Sequence, residues 1–324
     1  MTTKPFKLCL FVLWTACALA VTSACDRSAE TPVFKAASFA NEVDLGPLNQ
    51  TAVQADGRLR SFESHAKVFM GFVTGGRQFA GQSHAFTYLD LMFRPGEYHT
   101  SDYIYVKKKV VRKEFVQALE GHPSFATDRA ADFMKSGLIA PVLLQHPSVV
   151  RLLQRLGADL IRTSREVDAI NFAMTVSEPG FLMRELRVVA QAEGETGRPW
   201  FSMREIVDMG GAPRDAAHAG VAAARPLPGL DSTLRGAIRE SWSRLGSAWI
   251  DEDAPAVNVA VAKLAERLRE ASPGGVYPDA GRLAMESWYF RNKSMTWLWV
   301  FYLIAIVPLL MSVIYKWNGA RVAG

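Results

Sequence analysis

Three cysteines and six histidines are the side chains of this 324-residue chain most able to hold a metal, form a disulfide or accept an acyl group. Cys9, Cys17 and Cys25 all fall at the N-terminal end. Beyond Cys25 there is therefore no disulfide, no thiolate metal site and no C-x-x-C-H haem-attachment motif. His65, His84, His99, His122, His146 and His218 are scattered, and none forms H-x-x-x-H or H-E-x-x-H. They read as surface or structural histidines, with His65, on the first predicted helix after a hairpin, the best-placed candidate for an axial ligand. No G-x-S-x-G elbow and no G-x-x-x-x-G-K-[ST] loop occurs, and the glycines of Gly71–Gly76 read as a helix end. The chain is expected not to be an enzyme. Its densest charge is Lys107-Lys108-Lys109 with Arg112 and Lys113. That cluster reads as a solvated face, or as a contact for lipid head groups or for the propionates of a carried porphyrin.

The ends of the chain say where this chemistry sits. Lys4 and Lys7 precede the apolar run Leu8–Val21, which leads into Thr22-Ser23-Ala24-Cys25, the pattern of a secretory leader over residues 1–25. Small residues before Cys25 resemble a bacterial lipobox, which makes Cys25 the expected lipidation site, with Asp26 behind it as an inner-membrane retention signal. From Trp297 to Tyr315 no charge occurs, a run of about 20 residues and so the length of a bilayer span. Trp297, Trp299, Tyr302, Tyr315 and Trp317 gather at its edges, where amphipathic rings favour the interface. The expectation is a transmembrane helix over 295–316, a cytoplasmic tail over 317–324, and the bulk of the chain outside a bacterial cytoplasmic membrane. The net charge of +5 is too small and too interspersed for a nucleic-acid partner.

The intervening residues must supply the scaffold. Residues 26–50 are polar and read as a linker, and 51–294 as one extracytoplasmic, mainly helical domain. Asp56-Gly57 between apolar stretches predicts a hairpin over Thr51–Phe62. Helices are expected at Ser64–Val73, Val111–Leu119, Pro147–Leu160 (with Val150, Leu153 and Leu156 as the buried stripe), Arg165–Val176 and Leu182–Gln191. Tyr103–Val106 reads as a short strand. Ser202 and Glu205 form a capping box, and Gly210–Gly229 reads as a long loop. Leu234, Ile238, Trp242, Leu245 and Trp249 recur at helical spacing, as do Val257, Val261, Leu264 and Leu268 behind Asp253 and Pro255. The fold class is therefore mainly α with minor β near residues 50–110.

Three segments in order resemble the exported N-terminal region of Ccs-type (system II) cytochrome c biogenesis proteins. The first is AVQADGRLRSFESHAK, Ala52–Lys67, in which Asp56, Gly57, Arg58 and Ala66 match while Ser61 stands where proline is usual. The second is YLDLMFRPGEY, Tyr88–Tyr98, followed by IYVKKKVVRKEF. The third is VYPDAGRLAMESWYFRNKSMTWLWVFYLIAI, ending at Ile306, in which Glu286 and Tyr289 match. The resemblance implies a part in moving haem across the membrane and attaching it to apocytochrome c. Such proteins continue into a multi-helix domain with a tryptophan-rich haem-handling loop, and this sequence holds no such loop. The implied role is a non-catalytic subunit: haem is handled by a separately encoded multi-spanning biogenesis protein, with membrane lipid and apocytochrome c as further partners. A general membrane-tethered scaffold without a haem role is the other reading.

Overall fold

The computed structural model describes residues 37–190, 199–207, 227, 229–272, 277–291 and 294–315. The expected leader, Cys25, most of the Gly210–Gly229 loop and the expected tail lie outside them.

Turn chemistry and helix caps set the first third of the fold. After α1 (Ala37–Glu42) and α2 (Gly46–Asn49), strands β1 (Ala52–Ala55) and β2 (Arg58–Ser61) pair antiparallel with Ala55 opposite Arg58. Asp56 and Gly57 take φ of 51° and 71°, the paired left-handed residues that a two-residue hairpin turn needs. Ser61 then caps α3 (Phe62–Thr74) by accepting from the Ser64 amide, and Gly75, at φ 67°, closes it. A Cβ at Gly75 would meet the Tyr105 ring at 2.4 Å, so glycine is required there twice over.

A short 3₁₀ turn precedes α4 (His84–Phe93), α5 (Pro95–Tyr98), β3 (Ile104–Tyr105), α6 (Lys109–Ala118), α7 (Thr127–Ser136) and β4 (Leu138–Ile139), which pairs with β3. Next come α8 (Pro141–Leu144), α9 (Pro147–Gly157), α10 (Ser164–Val176) and α11 (Pro179–Glu185). Strands β5 (Arg187–Val189) and β6 (Phe201–Ser202) form the third two-stranded sheet. Five helices follow: α12 (Met203–Val207), α13 (Ser232–Ile250), α14 (Ala254–Glu270), α15 (Ala280–Arg291) and α16 (Ser294–Tyr315). The architecture is mainly helical, as the periodicities imply.

Most of the core is continuous from Phe39 to Ala271. Helix α13 buries Ile238, Trp242, Leu245 and Trp249 in it, with α14 laying Val257, Val261, Leu264 and Leu268 beside them. Trp249 meets Phe86 at 4.9 Å and Phe39 at 5.5 Å between ring centroids. Truncating a tryptophan packed in this way costs roughly 3–5 kcal/mol.

Three sequence expectations need correction. The linker gives way to helix α1 at Ala37, because Phe39 and Leu45 find a place in the core and Asn258 ties down the Glu42 carbonyl and the Asp44 amide. Leu182–Gln191 is not a helix: α11 ends at Glu185, and the β-branched pair Val188-Val189 enters strand β5. The β content therefore extends past residue 110. In α9 the fully buried residues are Val149 and Leu152, while Val150 faces outward and Leu153 and Leu156 only flank the core. Separately, among residues whose side chains are described, no helix is long and apolar enough to cross a membrane. The part of α16 so described, Leu298–Ile314, stops short of a full span, although the backbone is helical from Ser294 to Tyr315.

Candidate functional site

Two of the three segments that carry the family resemblance meet at the β1–β2 hairpin. Tyr277 accepts a hydrogen bond through its hydroxyl oxygen from the Ala52 amide at 2.8 Å. Glu286, on α15, accepts the Ser61 amide at 3.0 Å. One residue on, the Ser287 hydroxyl donates to Ser61 Oγ at 3.0 Å. Ser61 is thus held from both sides, as cap of α3 and as docking point for α15. The hairpin also meets the residue before β6: Trp200 donates its amide to Gln54 Oε1 at 2.6 Å and stacks on Tyr277 at 6.2 Å. Ala52, Ala190, Trp200 and Leu283 close a small second core beneath these bonds, with Tyr277 packed against it. Burial raises the Tyr277 hydroxyl pKa, partly offset by its bond from Ala52, so it stays protonated at neutral pH.

The matched residues divide sharply by role. Glu286 holds the junction. Asp56, Gly57 and Arg58 are exposed at the hairpin tip, where Asp56 meets Arg60 at 3.5 Å. Tyr289 lies on the helical backbone of α15, with its side chain outside the described residues. The departure at Ser61 has a consequence: its amide feeds Glu286, and proline has no amide hydrogen to give. Tyr277, Ser287, Gln54 and Trp200 were not identified as contacts from sequence. Only Tyr277 carried a signal, as the aromatic that opens the third family-like segment.

The second of those segments builds a different structure. Asp90, fully buried on α4, accepts Trp249 Nε1 at 2.8 Å and Arg94 Nε at 2.7 Å on one oxygen, and the Tyr98 hydroxyl at 2.6 Å on the other. Arg94 also reaches Glu252 across the α13–α14 turn. Burial works against the charge on Arg94, but Asp90 and Glu252 outweigh it and raise its pKa. Burial, reinforced by Asp90, pushes the Tyr98 hydroxyl far above its usual range. Asp90, Tyr98 and Trp249 are buried and occupied in holding the core.

His65 is not a surface histidine. It is fully buried on α3, with ring neighbours Phe69 at 4.7 Å and Tyr88 at 5.6 Å. Its Nε2 lies 3.4 Å from the Tyr88 hydroxyl, which itself donates to the Leu182 carbonyl at 2.8 Å. The Tyr88 oxygen can then only accept, which assigns the imidazole proton to Nε2 and leaves Nδ1 buried without a partner. Burial, helped by Arg60, lowers the His65 pKa to about 3. An enclosed neutral imidazole of this kind offers iron no coordination face.

Among the described residues no three His, Cys, Asp or Glu side chains cluster closely enough to hold a metal ion. Lys107, Lys108, Lys109 and Lys113 are exposed. Arg112 is not part of that face: it is buried, donating to the Val106 carbonyl at 2.7 Å and the Met134 carbonyl at 3.1 Å. Neither a scan against protein-family models nor a search of curated proteins found a match to this chain.

Proposed function

We propose that this chain is a membrane-anchored, extracytoplasmic, non-catalytic subunit of a cytochrome c assembly complex, in which haem is handled by a separately encoded multi-spanning partner. The observation that supports the reading is the docking of the β1–β2 hairpin on α15. The first and third family-like segments, which lie more than 200 residues apart, form one junction through Tyr277, Glu286 and Ser287. That junction stands directly before α16, whose outward side chains from Leu298 to Ile314 are almost all apolar. On this reading α16 crosses the bilayer, anchored further by acylation of Cys25. The hairpin tip, with Asp56, Gly57 and Arg58, is presented close to the membrane as a docking edge for the partner or for apocytochrome c.

Deleting the gene should lower holocytochrome c while apocytochrome is still made. The full chain, purified in mild detergent, should bring down a multi-spanning protein with a tryptophan-rich loop and show no stoichiometric haem spectrum of its own. Normal holocytochrome c in the deletion strain would remove the assembly role and leave a membrane-tethered scaffold.

A further inference from the structure

The turn between α9 and α10 carries the two most exposed aliphatic side chains of the described residues, Leu160 at 80% and Ile161 at 94% exposure. Two adjacent aliphatic residues at a tip are costly to leave in water unless something covers them. Their backbone is prepared for that. Asp159 folds its carboxylate back to accept the Ile161 and Arg162 amides at 3.2 and 3.0 Å. The Asp159 carbonyl takes the Thr163 and Ser164 amides at 3.2 and 2.9 Å. The Leu160 carbonyl accepts the Ser164 hydroxyl at 3.1 Å, and the Arg162 carbonyl accepts Lys108 Nζ. These bonds satisfy much of the turn's backbone from within the protein, which lowers the cost of its leaving water.

The bond from Lys108 to Arg162 also brings the basic run to this turn. Lys107, Lys108, Lys109 and Arg162 are all exposed. Of the neighbouring acids, Asp159 is spent on the turn, and Glu166 is buried, accepting the Lys107 and Lys108 amides at 2.5 and 3.1 Å. The result is an aliphatic tip beside exposed cations, with Glu166 turned inward and the exposed Asp159 carboxylate engaged by the turn's own amides.

We propose that this turn and the basic start of α6 form a contact with an anionic bilayer surface: Leu160 and Ile161 enter the head-group layer while the lysines and Arg162 meet lipid phosphates. A convex tip suits a yielding bilayer, whereas a protein partner would need a pocket shaped to it. The proposal rests on the membrane placement given above but not on the role in cytochrome c assembly.

The test puts a photocrosslinking amino acid in place of Ile161 in the full chain, reconstituted in vesicles of phosphatidylcholine with or without phosphatidylglycerol. Lipid adducts at this position should be several-fold more abundant with phosphatidylglycerol, and should fall by about fivefold for each exposed cation removed, as in Lys109→Ala. High salt should suppress them similarly. The same probe replacing Ile250, an exposed aliphatic at the end of α13, should give far fewer. Resistance to carbonate extraction, scored on the same vesicles, reports separately whether α16 is inserted. Absent adducts in well-inserted protein, or equal adducts in both lipid compositions, would overturn the proposal. A discrete protein adduct in cells in place of lipid would overturn it in favour of an acidic protein partner.

Discussion

Asp90 and Glu286 are both carboxylates that accept hydrogen bonds across long stretches of chain, yet they sit in regions of opposite character. Asp90 is sealed within the main core, where Trp249, Tyr98 and Arg94 together saturate it. Glu286 is half-buried and takes one backbone amide, at a junction resting on a small satellite core. The first arrangement can break only with the fold. The second can loosen while the main core stands, as a surface that docks and releases a partner must. On the proposed function, stability and docking belong to different parts of the molecule, and substitutions should separate them.

The largest expected effect is at Asp90. Asp90→Ala strands the Arg94 guanidinium, the Trp249 indole and the Tyr98 hydroxyl in a buried site, which should cost about 3–5 kcal/mol of unfolding free energy. Chemical denaturation of the full chain checks this. Asp90→Asn, which keeps an acceptor but loses the charge facing Arg94, should fall between the variant and the wild type. A loss under 1 kcal/mol for Asp90→Ala would show that the network is not the keystone drawn here.

His65 supplies the next effect. Its pKa is about 3 in the folded state against 6.5 for the exposed imidazole, so between these values the unfolded chain binds the extra proton. The stability it contributes is complete above pH 6.5 and declines as the pH falls toward 3, at up to about 1.4 kcal/mol per pH unit. Melting curves between pH 7 and pH 4 should therefore show a steeper fall for the wild type than for His65→Gln. Parallel curves would mean that His65 opens to solvent more readily than its burial implies.

What the sequence disclosed about these regions follows from the range of the interactions. The Asp56-Gly57 turn, the Gly75 cap, the Ser202–Glu205 box (2.7 and 3.3 Å) and the α13 and α14 stripes are local patterns, and each formed where its spacing placed it. Strand β5 was misread because Val188-Val189 is too short for periodicity to tell strand from helix, and its partner β6 lies beyond residue 200. Asp90 was visible only as a member of the second family-like segment: Arg94 and Tyr98 lie four and eight residues on, but Trp249 reaches it from α13 across 159 residues. The junction at Glu286 was visible only as a motif match. Its bond to Ser61 spans 225 residues, and no local rule reaches that far.

A smaller change should act mainly on that junction. Ser61→Pro removes the amide that Glu286 accepts, together with the hydroxyl bonded to Ser287 and the cap of α3. Losing a charge-assisted bond and a cap should cost about 2–3 kcal/mol. Glu286→Gln, which keeps an acceptor, should cost only about 1 kcal/mol. In hydrogen exchange both changes should raise amide turnover at Ala52–Ser61 and in α15 more than in α13. Uniform loss of protection would show that hairpin and core form one cooperative unit, against the contrast drawn above.

The smallest expected effect on stability is the sharpest test of function. Asp56 lies at the hairpin tip with its side chain 84% exposed, and its 3.5 Å contact with Arg60 is an exposed ion pair worth about 0–1 kcal/mol. Its φ of 51° is a conformation that asparagine adopts as readily as aspartate. Asp56→Asn should therefore leave the unfolding midpoint within about 0.5 kcal/mol of wild type. Arg58→Ala, likewise exposed, should do the same. Neither side chain is buried, and on the proposed function their role is toward a partner. If the hairpin is a docking edge, Asp56→Asn or Arg58→Ala should lower recovery of the multi-spanning partner and the level of holocytochrome c, while the protein melts as before. Gly57→Ala is the necessary contrast, because φ of 71° strains any side chain and should cost about 1–2 kcal/mol at the turn. A loss of partner binding seen only with Gly57→Ala would trace the effect to hairpin geometry, and would leave the charged tip without a recognition role.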